Sequence, residues 1–530
     1  MKNPPLSATW NIKMISKNWI IYIPKMCIIC TGEDISNMTH LDLCRCKYIN
    51  SLPESLPEGL ETLYCQGCTG LTRLPDSLPE SLKLLDCKSC TGLTRLPEHL
   101  PAGLEHIDCG GCRGLTCLPE YLPEGLKKLY SNSCTGFTHL PEHLPEGLER
   151  LECDHCTGLT RLPQHLPEGL KILYCQYCTG LTHLPERLPE GLERLEFRDC
   201  TSLTHLPEHL PAGLEILNCR DCTGITRLPE HLPEGLERLD CMGWKGLTHL
   251  PDYLPERLKD LNCPGCTGLT YLPDSLPEGL KILNCDGCTG LTHLPERLPD
   301  ELKYLYCKAC TGLTHLPKHL PEGLERLDCG SCTGITSLPE HLPEGLKYLD
   351  CYNCRGITRL PENLPEGLRW LDCLFCTDLT HLPEHLPENL EKLRCSGCTS
   401  LTRFPESLPE ELKTLDCNCC TGLARLSDPL PEGLQNLDCR SCLLLLSEDP
   451  RVLRQIDIDA NRRRHLQIQA MEERLLQRER EKWILMCMGL RDSQSPVKYL
   501  CTDVLSVIHS HSKEHLQQES IQYLAEILKN

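Results

Sequence analysis

The stretch Leu324-Glu325-Arg326-Leu327-Asp328-Cys329-Gly330-Ser331-Cys332-Thr333-Gly334-Ile335-Thr336-Ser337-Leu338-Pro339-Glu340-His341-Leu342-Pro343-Glu344-Gly345 decides the fold, because it recurs. Cys-x-x-Cys pairs in its frame begin at 65, 87, 109, 153, 175, 219, 263, 285, 307, 329, 351, 373, 395, 417 and 439, and each gap is 22 residues or a multiple of it. A fixed period of this length marks stacked units that bury one continuous core between neighbours. Leu327 and Cys329 lie two residues apart and face the same side of a strand. Leu324 and Cys332 extend that buried row, which leaves Arg326, Asp328 and Gly330 facing outward. Thr333-Gly334-Ile335 leads away from the strand, with glycine easing the turn, and Leu338 returns to the core. Pro339 and Pro343 disfavour helix and favour extended or polyproline-like backbone. The expected fold class is an α/β repeat solenoid. Short parallel β-strands line its concave face, its convex side is extended and irregular, and a helical segment follows at the C-terminus.

The frame runs over residues 37–446 as about 19 units of 22 residues. The first unit is degenerate and is held by Leu41, Leu43, Cys46, Ile49, Leu52 and Pro53. Residues 1–36 read as an N-terminal cap. Residues 447–530 break the period and read as helical. Asp449-Pro450 supplies an N-cap followed by proline at the first helical position, and Ser495-Pro496 repeats that signal. Leu516, Tyr523, Leu524, Ile527 and Leu528 form an apolar stripe.

The chain carries 530 residues and a net charge of -20, and the excess acid sits in the array. That balance argues against sequence-independent nucleic-acid binding, which needs clustered Lys and Arg. It suits a protein partner with a basic surface. Trp19 to Ile23 is too short for a signal peptide and is soon followed by Lys25, and no stretch reaches transmembrane length. A regular ladder of thiols is best tolerated in a reducing compartment, so the expected location is the cytoplasm.

The repeat resembles the leucine-rich repeat over roughly residues 37–446. Its paired Leu-Pro steps, as in Leu338-Pro339 and Leu342-Pro343, look most like the bacterial subclass found in type III secreted effectors. The Cys-Thr-Gly-Leu-Thr-x-Leu-Pro segment also looks like repeats of plant immune receptors, although this chain shows no nucleotide-binding domain. The effector resemblance implies delivery into a host cell and action on a host protein.

Paired cysteines raise the question of zinc. Ser131 and Phe197 replace the first cysteine of a pair, and Trp244 replaces the second. Phenylalanine and tryptophan cannot ligate a metal but can fill a buried slot, so the array is read as structural thiols with no metal and no cofactor. In leucine-rich repeats the second position normally holds Asn or Cys bonded to loop backbone. Cys27 and Cys30 stand outside that register, with Cys44 and Cys46 nearby, and the group has spacing suited to a four-thiolate zinc cap. Redox catalysis by these pairs would need exposed thiolates, which strands entering a core do not offer. Histidines on the outer rows, such as His183 and His209, alternate freely with Arg, Ser and Tyr and read as a solvated surface.

The concave face is where the units differ. One column there is largely acidic and includes Asp328, Asp350 and Asp372; beside it lie Tyr304, Tyr306, Tyr348, Tyr352, Trp370 and Phe375. In a chain with 5% aromatics, this grouping over four consecutive units marks a partner-binding surface. Tyr174 and Tyr177 form a smaller group. In the tail, Cys501-Thr502-Asp503 matches the Cys-x-Asp of the ubiquitin-ligase branch of the secreted effectors, whose catalytic domain is far larger. Residues 499–508 resemble the opening of an F-box, with Cys501 where proline is expected. That resemblance implies a Skp1-type adaptor docked through Leu500, Val504, Leu505 and Ile508. The sequence reads as a non-enzymatic protein-binding solenoid, with a ubiquitin-ligase substrate receptor as the alternative.

Overall fold

The computed structural model describes residues 27–442, 445 and 450–453. One three-residue strand per coil, from β1 (His40–Asp42) to β19 (Asn436–Asp438), builds a single parallel sheet. Each strand pairs with the one 22 residues further along, without slippage, so Leu305, Leu327 and Leu349 lie side by side. The strands are shorter than the Leu-x-x-Leu-x-Cys stretch suggests. Backbone pairing nonetheless runs past them, from the Cys329 N–H to Asp350 O at 2.8 Å and from the Ser331 N–H to Tyr352 O at 2.6 Å.

Just past the strand the chain turns through a left-handed residue, at the second x of each Cys-x-x-Cys frame. In β14 (Arg326–Asp328) and its two successors these residues are Ser331, Asn353 and Phe375, with φ of 61°, 54° and 57°. The same position recurs from Arg45 to Ser441 in every coil. Glycine fills it at only some positions, such as Gly265 and Gly397. Side chains elsewhere bear a cost of order 1–3 kcal/mol that the stacked neighbours must outweigh.

The paired cysteines are buried, as expected of structural thiols. The second of each pair does more than fill space. From Cys68 to Cys442 its Sγ donates to the backbone carbonyl 25 residues upstream, for instance Cys332 to Cys307 O at 2.9 Å. Trp244 takes this role with its indole, Nε1 donating to Cys219 O at 2.6 Å. At the first position Ser131 donates to Glu152 O at 3.1 Å, as Cys65 does to Asp86 O at 3.4 Å. Phe197 fills the same slot with no donor, fully buried.

Among the described residues the convex side holds no helix between strands. Leu338 and Leu342 close the core there. Gly334 is required for a different reason from the turn that the sequence suggests. A Cβ on it would stand 2.6 Å from Leu313 O of the preceding coil. The coils therefore stack backbone against backbone at this row.

At the N-terminal end a single helical turn, α1 (Ile28–Thr31), lies on the first coil, with Cys27, Ile28, Ile29, Cys30, Ile35 and Met38 packed against the core. At the other end a second turn, α2 (Pro450–Leu453), buries Val452, and Arg451 donates to Leu430 O and Pro431 O of the last coil. The remainder of the expected helical region, with Leu500, Val504, Leu505 and Ile508, lies outside the described residues. So does most of the expected cap before Cys27.

Trp244→Phe keeps an aromatic volume in the slot and removes the donor to Cys219 O. We expect it to cost about 0.5–1.5 kcal/mol in urea unfolding, the worth of one buried hydrogen bond, since Cys219 O then keeps only the 3.4 Å bond from the Cys222 N–H. An unchanged midpoint would show that the indole acts by volume alone.

Candidate protein-binding surface

The concave face is a grid, because unslipped parallel pairing sets equivalent residues of successive coils beside one another. In the first strand column, Tyr304 of β13 (Tyr304–Tyr306) pairs with Arg326 of β14, then Tyr348 of β15 (Tyr348–Asp350), Trp370 of β16 (Trp370–Asp372) and Lys392 of β17 (Lys392–Arg394). The result is a column of rings interrupted by Arg326 and closed by Lys392. The Arg326 guanidinium lies 5.5 Å from the Tyr306 ring centre and 5.6 Å from that of Tyr348. Tyr348 and Trp370 meet with centroids 6.0 Å apart at 53°. Lys392 Nζ sits 4.0 Å over the Trp370 ring. Each such contact contributes roughly 0.5–1 kcal/mol at an exposed site and more when desolvated. The rings are thus held in place before any partner arrives.

Tyr352 and Phe375 join the patch through glycines. A Cβ on Gly330 would overlap the Tyr352 ring, so the ring lies across the preceding coil and meets Lys308 Nζ at 4.4 Å. Phe375, at a left-handed position, lies over Gly397 of the following coil and remains 53% exposed. Tyr348 is also exposed, whereas Tyr304, Tyr306, Tyr352 and Trp370 are half-buried.

The acidic column needs correction. The sequence sets Asp328 and Asp372 on the open face, but both are only 5% exposed. Their carboxylates turn back on the chain. Asp328 Oδ1 accepts the Gly330 N–H at 3.3 Å, Asp350 Oδ1 the Tyr352 N–H at 3.0 Å, and Asp372 Oδ1 the Leu374 N–H at 3.1 Å. Asn218 and Asn284 cap the same turn. The column therefore follows from Asx-turn geometry rather than from charge. Asp372 is further engaged by Arg394 at 2.8 Å. Around the rings Lys303, Lys308, Arg326, Lys347, Arg369, Lys392 and Arg394 outnumber Glu325, Asp328, Asp350, Asp372 and Glu391, so this part of an acidic protein is not itself acidic. Arg326 Nε is buried and has no hydrogen-bond acceptor among the described residues.

The smaller aromatic group is built alike. Arg150 lies 6.0 Å from the Tyr130 ring centre and 5.0 Å from that of Tyr174, and Arg194 donates to the Tyr174 hydroxyl at 3.0 Å. Tyr177 stacks on His155 at 4.3 Å, with Arg198 on its ring at 5.3 Å. Sequence reasoning missed Tyr130, His155 and the arginines; their signal lay in residue type compared across adjacent units. On the convex side the histidines are exposed apart from His381, which is half-buried, and His183 and His205 each meet the preceding threonine hydroxyl at 2.9 Å.

No protein-family model matches the sequence, and no curated protein matches it. The fold is similar to that of YopM from Yersinia enterocolitica, with 28% identity, TM-score 0.41, and coverage of 76% of this chain and 91% of that one. It is similar also to YopM, a leucine-rich effector protein from Yersinia pestis, with 27% identity, TM-score 0.30, and coverage of 75% and 88%. A leucine-rich-repeat protein of Leptospira interrogans matches at 17% identity, TM-score 0.41, over 79% of this chain and 94% of that one. Among the described residues no helix is long and apolar enough to cross a membrane.

Burial, and then the neighbouring Asp328, push the Asp286 carboxyl up to about 6. An acid raised in the folded state favours the protonated native protein. The charging penalty is thus fully present above pH 6 and fades as pH falls toward the ordinary carboxylate range. Asp286→Asn should therefore raise the unfolding midpoint more at pH 7 than at pH 5. An equal effect at both pH values would show that Asp286 titrates normally.

Proposed function

We propose that this chain is a non-enzymatic protein-binding scaffold whose partner docks on the concave face around Tyr348 and Trp370. The observation that carries the reading is the preset column of rings and cations from Tyr304 to Lys392. Aromatic and arginine side chains at the centre of a face are what interface hot spots are made of. Rings already braced by Arg326 and Lys392 lose little freedom on binding, which raises affinity without added area. The exposed Phe375 extends the apolar part of the surface.

The turn-capping role of Asp328 and Asp372 shifts the reading of the partner. Selection of a basic surface would have to rest on Asp350, Glu325 and Glu391 and on carboxylates outside the patch. The excess of lysine and arginine around the rings suits a partner that offers apolar side chains together with carboxylates. Action inside a host cell is part of the proposal on the strength of the Leu-Pro repeat pattern. Recruitment of a Skp1-type adaptor through Leu500, Val504, Leu505 and Ile508 is a separate proposal that rests on sequence alone.

The test is capture of partners from eukaryotic cytosol, followed by affinity measurement with purified components. Tyr348→Ala combined with Trp370→Ala should weaken binding at least tenfold while leaving thermal unfolding close to wild type. Undiminished affinity would remove this patch as the docking site. A chain ending at Lys498 should keep the same partner; loss of a Skp1-type adaptor from that chain alone would favour the substrate-receptor alternative.

A further inference from the structure

We infer that Cys27, Cys30 and Cys46 form a thiolate site for a zinc-class metal ion, which fastens the N-terminal turn to the first coil. The three sulfur atoms lie within 4.8 Å of one another, and Cys30 Sγ is 3.5 Å from Cys46 Sγ. Zinc–sulfur bonds of about 2.3 Å set tetrahedral thiolates about 3.8 Å apart, so little movement is needed to close the site. Cys27 immediately precedes α1 and Cys30 lies within it, whereas Cys46 belongs to the first coil. The site therefore joins two segments 16 residues apart in sequence.

The position of Cys46 sets it apart from the other thiols. It is the first member of the row whose later members, from Cys68 onward, each donate to a carbonyl 25 residues upstream. At Cys46 the sulfur instead has two thiols beside it. Three adjacent thiols cannot all ionise without a cation among them, and a divalent metal supplies that charge while releasing the protons to solvent.

The sequence expectation of four thiolates is narrowed to three. Cys44 is exposed and stands outside the group. Residues 1–26 contain no Cys, His, Asp or Glu, so they bring no fourth ligand of those kinds. The fourth position is left to water or an external thiol. The physical role is closure: the terminal coil of a stack exposes core that has no next coil to cover it.

The experiment uses full-length untagged protein purified in the presence of a reductant and zinc, with metal measured by mass spectrometry. About one zinc per chain is expected, retained in Cys44→Ser and lost in Cys30→Ser and in Cys46→Ser. Cobalt substitution provides a readout independent of variant folding: the wild-type chain should give the intense absorption of tetrahedral cobalt–thiolate coordination. Zinc should also slow maleimide labelling of Cys27, Cys30 and Cys46. Absence of stoichiometric metal, an octahedral cobalt spectrum, or loss of zinc from Cys44→Ser would overturn the three-thiolate assignment. Several zinc ions per chain would overturn it too, by moving metal into the array.

Discussion

Each coil leaves its strand with a backbone carbonyl pointing into a core of leucine, and that carbonyl has to be satisfied there. In most coils its own turn offers one long N–H bond, as from Cys332 to Cys329 O at 3.3 Å, and a second, side-chain donor contributes about 0.5–1.5 kcal/mol, repeated once per coil. The donor comes from the next coil, as in Cys332 to Cys307 O. This requirement fixes the shape of the coil. The donor must sit three residues after the strand exit, on a chain reversed by a left-handed residue, with the next strand in unslipped register. Substitutions show what the position tolerates. Trp244 offers an N–H in place of a thiol and keeps the bond. At the neighbouring slot, where the hydrogen bond is longer, Phe197 is accepted with no donor. Donation is thus held at one position, while the other is governed mainly by volume.

The period, the burial of the cysteines and the non-helical convex side were all legible in the sequence, because each rests on spacing that repeats many times. The reading of Phe197 and Trp244 as occupants of buried slots also needed only residue type. What escaped were features that depend on a neighbouring coil. The left-handed turn is invisible because Tyr177, Asp221 and Phe375 occupy it as well as glycine does. The need for Gly334 comes from Leu313 O, which is 21 residues earlier in the chain.

The same reason explains the misjudged acidic column. Alternation along a strand points Asp328 and Asp372 away from the core, but outward is not the same as exposed. On a parallel sheet in unslipped register, side chains of adjacent coils lie side by side, and an aspartate has its own turn amide within reach. The aromatic group was recognisable as a cluster, yet the cations that order it were not. Arg326 falls between Tyr304 and Tyr348 only when three units are laid side by side. Function on a repeat surface is therefore written across units, and reading single units in turn loses it.

Unslipped register has a consequence for how such a molecule can change. Most junctions between coils present the same carbonyls, a glycine in the Gly334 row (Ser202, Asp378 and Ser400 are exceptions) and leucines in the same places. An in-frame crossover between two such coding repeats would therefore fuse partners that already fit. Whole coils can be gained or excised without a scar at the seam, and the two ends are untouched by the exchange. What such an event alters is the distance between the ring-and-cation patch around Trp370 and the smaller one around Tyr174. The lineage can in this way adjust the span of its contacts in steps of one strand spacing, about 4.8 Å, while the core stays as it was.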